Sequence, residues 1–282
     1  MNADAAAASE AKKADERATL LAGALGGPFT IAVYTPLRNA ITLGAQDAAA
    51  SSGALYARTV EHGFLRGGYA GWASPTIFSS AQFMALGPLY HVYAGVCGPN
   101  LAVIPTALTE STISYGSQAR NAQIAYNLSV ESGKRVALQA PWDPRGAGFL
   151  PHMCRNACAM SGFRVISPPL QRAIGADQSG SPAKAFAADF AATILSAAIS
   201  MPFNQLFNFL ATTPPTSRPH GVLRACMTFL RSQYLTPSGG LSTTMLRDAF
   251  MRCAYIAPQL STYSAIERAA RKAAETGREA EA

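Results

Sequence analysis

Uncharged stretches alternate with short charged segments along the chain. Three long stretches, residues 18–37, 67–109 and 190–217, contain no Asp, Glu, Lys or Arg. A helix needs about 20 apolar residues to cross the hydrocarbon core of a membrane. The first and third stretches therefore each predict one membrane helix. The second is long enough to predict two, separated by a turn near Gly95, Gly98 and Pro99.

Two further apolar stretches, residues 150–174 and 241–266, predict weaker spans because arginines interrupt them. Arginine at membrane depth usually faces a helix-bundle interior or a watery cavity. The interrupting residues are Arg155, Arg164, Arg247 and Arg252. Six spans follow, with starts near 18, 70, 100, 150, 186 and 242. Pro168 and Pro169 predict an early end to the fourth.

The composition agrees with a membrane protein. Charged residues make up 14% of the 282-residue chain, against about 25% in an ordinary soluble domain. The net charge of +7 favours an anionic partner. Nucleic acid is not expected, because the basic residues are spread over several loops and are not clustered with aromatic residues. Membrane lipid is the better match to this charge.

The sequence also contains a weak internal repeat. Residues 35–46 (TPLRNAITLGAQ) and 107–118 (ALTESTISYGSQ) share Ile, Gly and Gln at the seventh, tenth and twelfth positions. A third segment, 201–212 (MPFNQLFNFLAT), has Pro202 at the position of Pro36. Each segment ends an apolar run, where proline can kink a membrane helix.

A second landmark follows each of these segments. It is a glycine with a polar or basic residue seven positions later: Gly67 and Ser74, Gly148 and Arg155, Gly240 and Arg247. The chain is thereby divided into an N-terminal tail (1–16), three repeats (17–97, 98–180 and 181–268) and a C-terminal tail (269–282).

These residues resemble the mitochondrial carrier family, whose repeats carry P-x-[DE]-x-x-[KR] and G-x-x-P-x-x-x-R. The resemblance implies an all-α membrane protein with six transmembrane helices in three pseudo-symmetric helix pairs. It also implies a location in the mitochondrial inner membrane and alternating access to a central cavity. Basic residues such as Arg58, Lys134 and Arg231 lie in the three segments that this topology places in the matrix, which fits the positive-inside bias.

The gate residues of the family are mostly missing. In carriers the acidic and basic positions of the first motif form ion pairs that close the matrix side. The resemblance places Arg38, Glu110 and Asn204 at the acidic positions and Ile41, Ile113 and Phe207 at the basic ones. One ion pair, Arg38 with Glu110, is the most that this degenerate matrix gate can form. The opposite gate needs Phe or Tyr followed directly by Asp or Glu, which the sequence lacks, so both charged gates are predicted to be lost.

The resemblance also implies substrate and lipid contacts. If transport is retained, Ser74, Arg155, Asn156 and Arg247 would touch the substrate, and the arginines would suit a carboxylate or phosphate. A local role, such as an Arg247–Asp248 pair, is the alternative. Cardiolipin is the expected lipid partner, bound near Gly67, Gly148 and Gly240, where helix N-termini meet phosphate. Gly23 and Gly27 are expected to permit close helix packing.

The loss of the gates predicts a transport-inactive structural subunit of a respiratory or ATP synthase assembly. The alternative, which the retained arginines favour, is an active transporter that exchanges a small anionic metabolite. We expect no enzyme activity, cofactor or metal site: the cysteines and histidines lack the spacing of zinc ligands or of a catalytic set.

Overall fold

The computed structural model describes residues 3–217 and 221–281, with side-chain surroundings for 16–176, 178, 180–217 and 221–276. Regular structure in these residues is helical, and the one β-bridge joins Leu235 to Leu241. The α-helices are α1 (Ala3–Gly44), α2 (Ser52–Val60), α3 (Ala73–Cys97), α4 (Val103–Leu128), α5 (Phe149–Ser161), α6 (Ser167–Ala173), α7 (Ala176–Ser179), α8 (Pro182–Thr212), α9 (Val222–Tyr234) and α10 (Thr243–Glu281). Two π-helices, Phe64–Gly68 and Gly162–Ile166, and two short 3₁₀ turns complete the structure.

Six long helical segments form a closed ring. In order around the ring they are α1, α3, α4, the α5–α6 run, α8 and α10, and α10 packs against α1 to close it. Helices α1 and α10 are antiparallel, since Gly26 lies beside Tyr263 and Gly44 beside Arg247. The start of α1 and the end of α10 are therefore at one end of the ring, the terminal end. Helices α2 and α9 lie at the other, the loop end.

The ring is apolar outside and polar inside. Large apolar side chains are exposed on all six segments, including Leu25, Ile77, Ile104, Leu150, Ile199 and Phe250. Fully buried polar residues, such as Asn39, Asn121 and His152, face the interior. A soluble protein usually has the reverse arrangement, and a large exposed apolar surface marks contact with a membrane or a partner.

Two helical segments are long and apolar enough to cross a membrane by length and composition alone. They are Glu16–Gly44 in α1 and Pro182–Thr212 in α8. The other four segments of the predicted layout begin at Ala73, Val103, Phe149 and Thr243, close to the predicted starts. The all-helical fold class is confirmed, and membrane association has support from these two helices.

The close contact between α1 and α3 depends on glycine. A Cβ atom at Gly23 would lie 2.6 Å from backbone atoms of Phe83, and one at Gly27 would lie 2.7 Å from the Phe83 ring. These distances leave no room for any side chain. The prediction that Gly23 and Gly27 permit close helix packing is confirmed.

One local prediction differs from the structure. The fourth segment does not end at Pro168 and Pro169, because the π-helix Gly162–Ile166 leads directly into α6, which carries both prolines in its first turn. Proline is tolerated there since its missing N–H would have little to bond. The predicted tails also extend α1 and α10 as helix. Met1, Asn2 and Ala282 of those tails lie outside the described residues.

Substitution of Gly23 by Ala should destabilise the fold by about 1–3 kcal/mol, because the added methyl group overlaps the α3 backbone. Thermal unfolding of the detergent-purified protein measures this. Gly95→Ala is the matched control: a Cβ atom there meets nothing within 4 Å, so its unfolding temperature should stay the same or rise. Equal losses in both variants would contradict the close contact.

Candidate functional site

A small cavity lies at the centre of the ring. Its volume is about 70 Å³, and α1, α3, α4, α5 and α10 all contribute to its wall. The polar lining residues are Arg38, Gln82, Glu110, Gln118, Arg155, Asn156, Arg252 and Gln259. Towards the loop end it continues into a narrow space of about 10 Å³, where α8 contributes Asn204 and Phe207. One water needs about 10–15 Å³ of cavity volume, so the cavity has room for a few waters or a small ion.

Three arginines face this cavity, each bonded to a neutral side chain. Arg38 donates to Asn121 Oδ1, and Arg155 donates to Asn204 Oδ1 at 2.8 Å. Arg252 donates to Ser200 Oγ at 3.2 Å. Among the described residues, none of the three forms an ion pair within 4.0 Å.

Aromatic rings support two of these guanidinium groups. Arg155 lies over Phe207, 4.2 Å from the ring centroid, and Arg252 lies over Tyr255 at 5.7 Å. A cation over an aromatic face is stabilised by about 0.5–2 kcal/mol. Arg155 is 7% exposed and Arg252 3%, so this attraction offsets only part of the cost of burying their charges.

Glu110 is the one carboxylate among the described residues that line the cavity. Gln82 and Asn156 donate to it through their side-chain amides. The hydroxyls of Ser114 and Ser111 donate at 3.2 and 3.3 Å. The cavity wall therefore carries three formal positive charges and one negative charge.

The loop end of the cavity is closed by neutral contacts. Arg38 and Asn204 lie towards the C-terminal ends of α1 and α8, but Glu110 lies in the first half of α4, much deeper in the ring. The residue of α4 that lies at the depth of Arg38 is Asn121, whose Oδ1 accepts a hydrogen bond from Arg38. Because of this offset, the possible Arg38–Glu110 ion pair is not formed.

The apolar gate positions behave differently from one another. Ile41 and Phe207 line the narrow space next to Asn204 and fill the loop end of the ring. Ile113, one turn beyond Glu110, is half-buried and lies outside both lined spaces. The structure therefore brings Arg38, Ile41, Asn204 and Phe207 together and leaves Ile113 apart.

The terminal end of the ring contains an aromatic contact and two ion pairs. Phe83 and Tyr263 stack edge to face with centroids 4.7 Å apart above the cavity. Beyond them, Arg164 of the π-helix pairs with Glu267 of α10 at 3.1 Å. Asp189 of α8 pairs with Arg268. The gate motif of the family is absent from the sequence, and these pairs use residues outside it.

Two predicted substrate contacts lie away from the cavity. Ser74 is in an outer groove lined by Arg120, Leu138 and Trp142. Arg247 donates to the carbonyls of Gly44, Asp47, Ala48 and Ala50, at and just after the end of α1, and pairs with Asp248 at 2.8 Å. Arg247 therefore has the local structural role that was the alternative.

Arg252, and not Arg247, is the arginine of α10 that lines the cavity. The comparison with the family motif selected Arg247 because Arg247 lies seven positions after Gly240. A simpler feature of the sequence does identify Arg252. All four arginines that interrupt apolar stretches have side chains that are largely buried within the protein, as expected because a charge facing lipid at membrane depth is costly. The sequence had no comparable signal for Gln82 and Asn121.

The three glycines predicted near lipid have different surroundings. A Cβ atom at Gly67 would collide with the Thr59 carbonyl oxygen, so this glycine is required by packing against α2. Gly148 directly precedes α5. Gly240 is exposed in the turn before α10. Lipid binding at these positions stays a prediction.

No protein-family model and no curated protein matches this chain.

Replacing Arg247 by Ala should lower the free energy of unfolding by about 3–5 kcal/mol, because Asp248 would be left buried without its cation. Arg155→Ala should cost much less, since it removes a buried charge that has no carboxylate partner. Thermal unfolding of both purified variants separates the two roles. A loss for Arg155→Ala as large as that for Arg247→Ala would contradict this assignment.

Proposed function

We propose that this chain is a mitochondrial-carrier-like protein of the inner membrane that binds a small anion in its central cavity and exchanges it across the membrane. The observation that carries the proposal is the set of three buried arginines facing one cavity with a single carboxylate.

The cavity wall supplies too little negative charge for its three arginines. Buried charges are normally paired, because burial without a partner costs several kcal/mol. The hydrogen bonds from Arg38, Arg155 and Arg252 to neutral oxygens leave most of their donors available, and Arg155 Nε is buried without a partner. A carboxylate or phosphate accepts two parallel bonds from one guanidinium group and would pair with the donors that the cavity wall leaves unused.

The cavity size limits the anion. A volume of about 70 Å³ favours a small carboxylate or inorganic phosphate over a nucleotide. Exchange would then require the ring to open at one end at a time, with both ends closed around the bound anion. Alternating access of this kind needs two states within a few kcal/mol of each other.

The membrane location rests on the surface of the ring and on the sequence resemblance. All six segments carry exposed apolar side chains. The basic connecting segments lie at the loop end. Anionic lipid attracts such segments with about 1 kcal/mol for each Lys or Arg near the surface. Cardiolipin near Gly67, Gly148 and Gly240 remains part of this proposal.

A second candidate function is a transport-inactive subunit of a respiratory or ATP synthase assembly. One observation favours it: the loop end is closed by Ile41, Phe207 and neutral hydrogen bonds, which lack the exchangeable ion pairs of the family. Such packing stabilises one state of the ring. The bound anion would then be a structural ligand.

Uptake into liposomes tests the proposed transport. The reconstituted protein should accumulate small carboxylates or inorganic phosphate, and Arg252→Gln should reduce the rate at least tenfold because it removes a charge that faces the anion. Arg224→Gln, on the exposed surface of α9, is the matched control and should leave the rate unchanged.

Three results would count against transport. They are unchanged uptake in Arg252→Gln, equal loss in both variants, and no uptake by the wild-type protein. Comigration with a large inner-membrane complex on native gels, together with no uptake, would support the structural subunit.

A further inference from the structure

Glu110 has an unusual position for a carboxylate in a cavity that contains three arginines. It is 4% exposed and lines the same space as Arg38, Arg155 and Arg252. No arginine forms an ion pair with it within 4.0 Å among the described residues. Its two oxygens instead accept from Gln82, Asn156, Ser111 and Ser114, which are all neutral.

This set of partners can accommodate either charge state of Glu110. When the carboxyl group is ionised, both serine hydroxyls and both amides donate to it. When it is protonated, its new O–H can donate to a serine oxygen, because a hydroxyl is both donor and acceptor. An arginine partner would not allow this, since it has no acceptor.

The hydrogen bonds continue from Glu110 to a second titratable group. Ser114 Oγ lies 3.2 Å from Glu110 Oε1 and 2.9 Å from His152 Nε2. The His152 ring is fully buried, and its Nδ1 has no hydrogen-bond partner. The chain Glu110–Ser114–His152 therefore links the cavity to a buried imidazole through one hydroxyl group.

Charged and titratable groups around Glu110 come from several elements. Arg155 and His152 are on α5, Arg38 is on α1, and Arg252 and Tyr255 lie across the cavity on α10. The packed surface of α3 contributes the neutral Gln82. From α8 the nearest lining groups, Asn204 and Asn208, are also neutral.

We propose that the central anion binds together with one proton, which is held on Glu110. This inference rests on the proposed anion site. The proton comes from solvent and forms an O–H bond at a carboxylate oxygen of Glu110. A monovalent anion then replaces the negative charge that Glu110 loses, and it can form the paired hydrogen bonds with a guanidinium group that Glu110 does not form.

The sign of this coupling follows from charge alone. An anion in so small a cavity lies close to Glu110, and two like charges at short range repel far more strongly in a protein interior than in water. The same anion also weakens the attraction of the arginines for the Glu110 carboxylate. Both effects favour the protonated form. By linkage, affinity for the anion should rise as the pH falls, by up to about tenfold per pH unit for one proton.

Calorimetric titration of the purified full chain measures this proton. Pyruvate and sulfate are suitable probes, because neither titrates near neutral pH and sulfate stands in for phosphate. Repeating each titration in two buffers of different ionisation enthalpy gives the number of protons taken up with each anion. The wild-type protein should take up close to one, and Glu110→Gln should take up none while still binding.

Glu131→Gln is the matched control, because Glu131 is an exposed acid in the segment after α4. It should behave like the wild-type protein. Anion binding by the wild-type protein with no proton uptake and no pH dependence would overturn the coupling and leave the anion site standing. Unchanged proton uptake in Glu110→Gln would also overturn it. Absence of binding for both probes would count against the anion site itself and hence against the coupling too.

Discussion

The uncompensated positive charge at the centre of the ring is the constraint on which the rest of this structure depends. Three guanidinium groups share one small cavity with one carboxylate. Their burial requires a polar lining that can bond them, which accounts for the buried amides and hydroxyls on the inner faces of the helices. The apolar exterior has a separate cause, since exposed apolar surface of this extent marks contact with a membrane or a partner.

The two ends of the cavity are closed by different interactions. Ion pairs close the terminal end, where Arg164 meets Glu267 and Asp189 meets Arg268. Neutral hydrogen bonds and apolar side chains close the loop end. An ion pair can be exchanged for water or for another charge when the helices separate, whereas packed apolar side chains lose contact area with no replacement.

The sequence predicted the helices better than it predicted the site. Long uncharged stretches locate most of the ring segments, because charge at membrane depth is costly, and the same rule identified Arg155 and Arg252 as interior residues. The comparison with the family motif predicted the contacts between helices less accurately. It put Glu110 at the position equivalent to Arg38, although the two residues lie at different depths in the ring. The contact of Arg38 with Asn121 depends on how α4 packs. Helix rotation and depth set such contacts, and no short motif records them.

Loss of the threefold gate motifs therefore does not imply loss of a charged interior. The positive charge lies in an asymmetric cluster at the cavity, where each arginine meets a different neutral partner. A symmetric ring of ion pairs satisfies its own charges and leaves the centre free. Here the charges at the centre have only neutral partners among the described residues, and the proposed anion is the group that would pair with them.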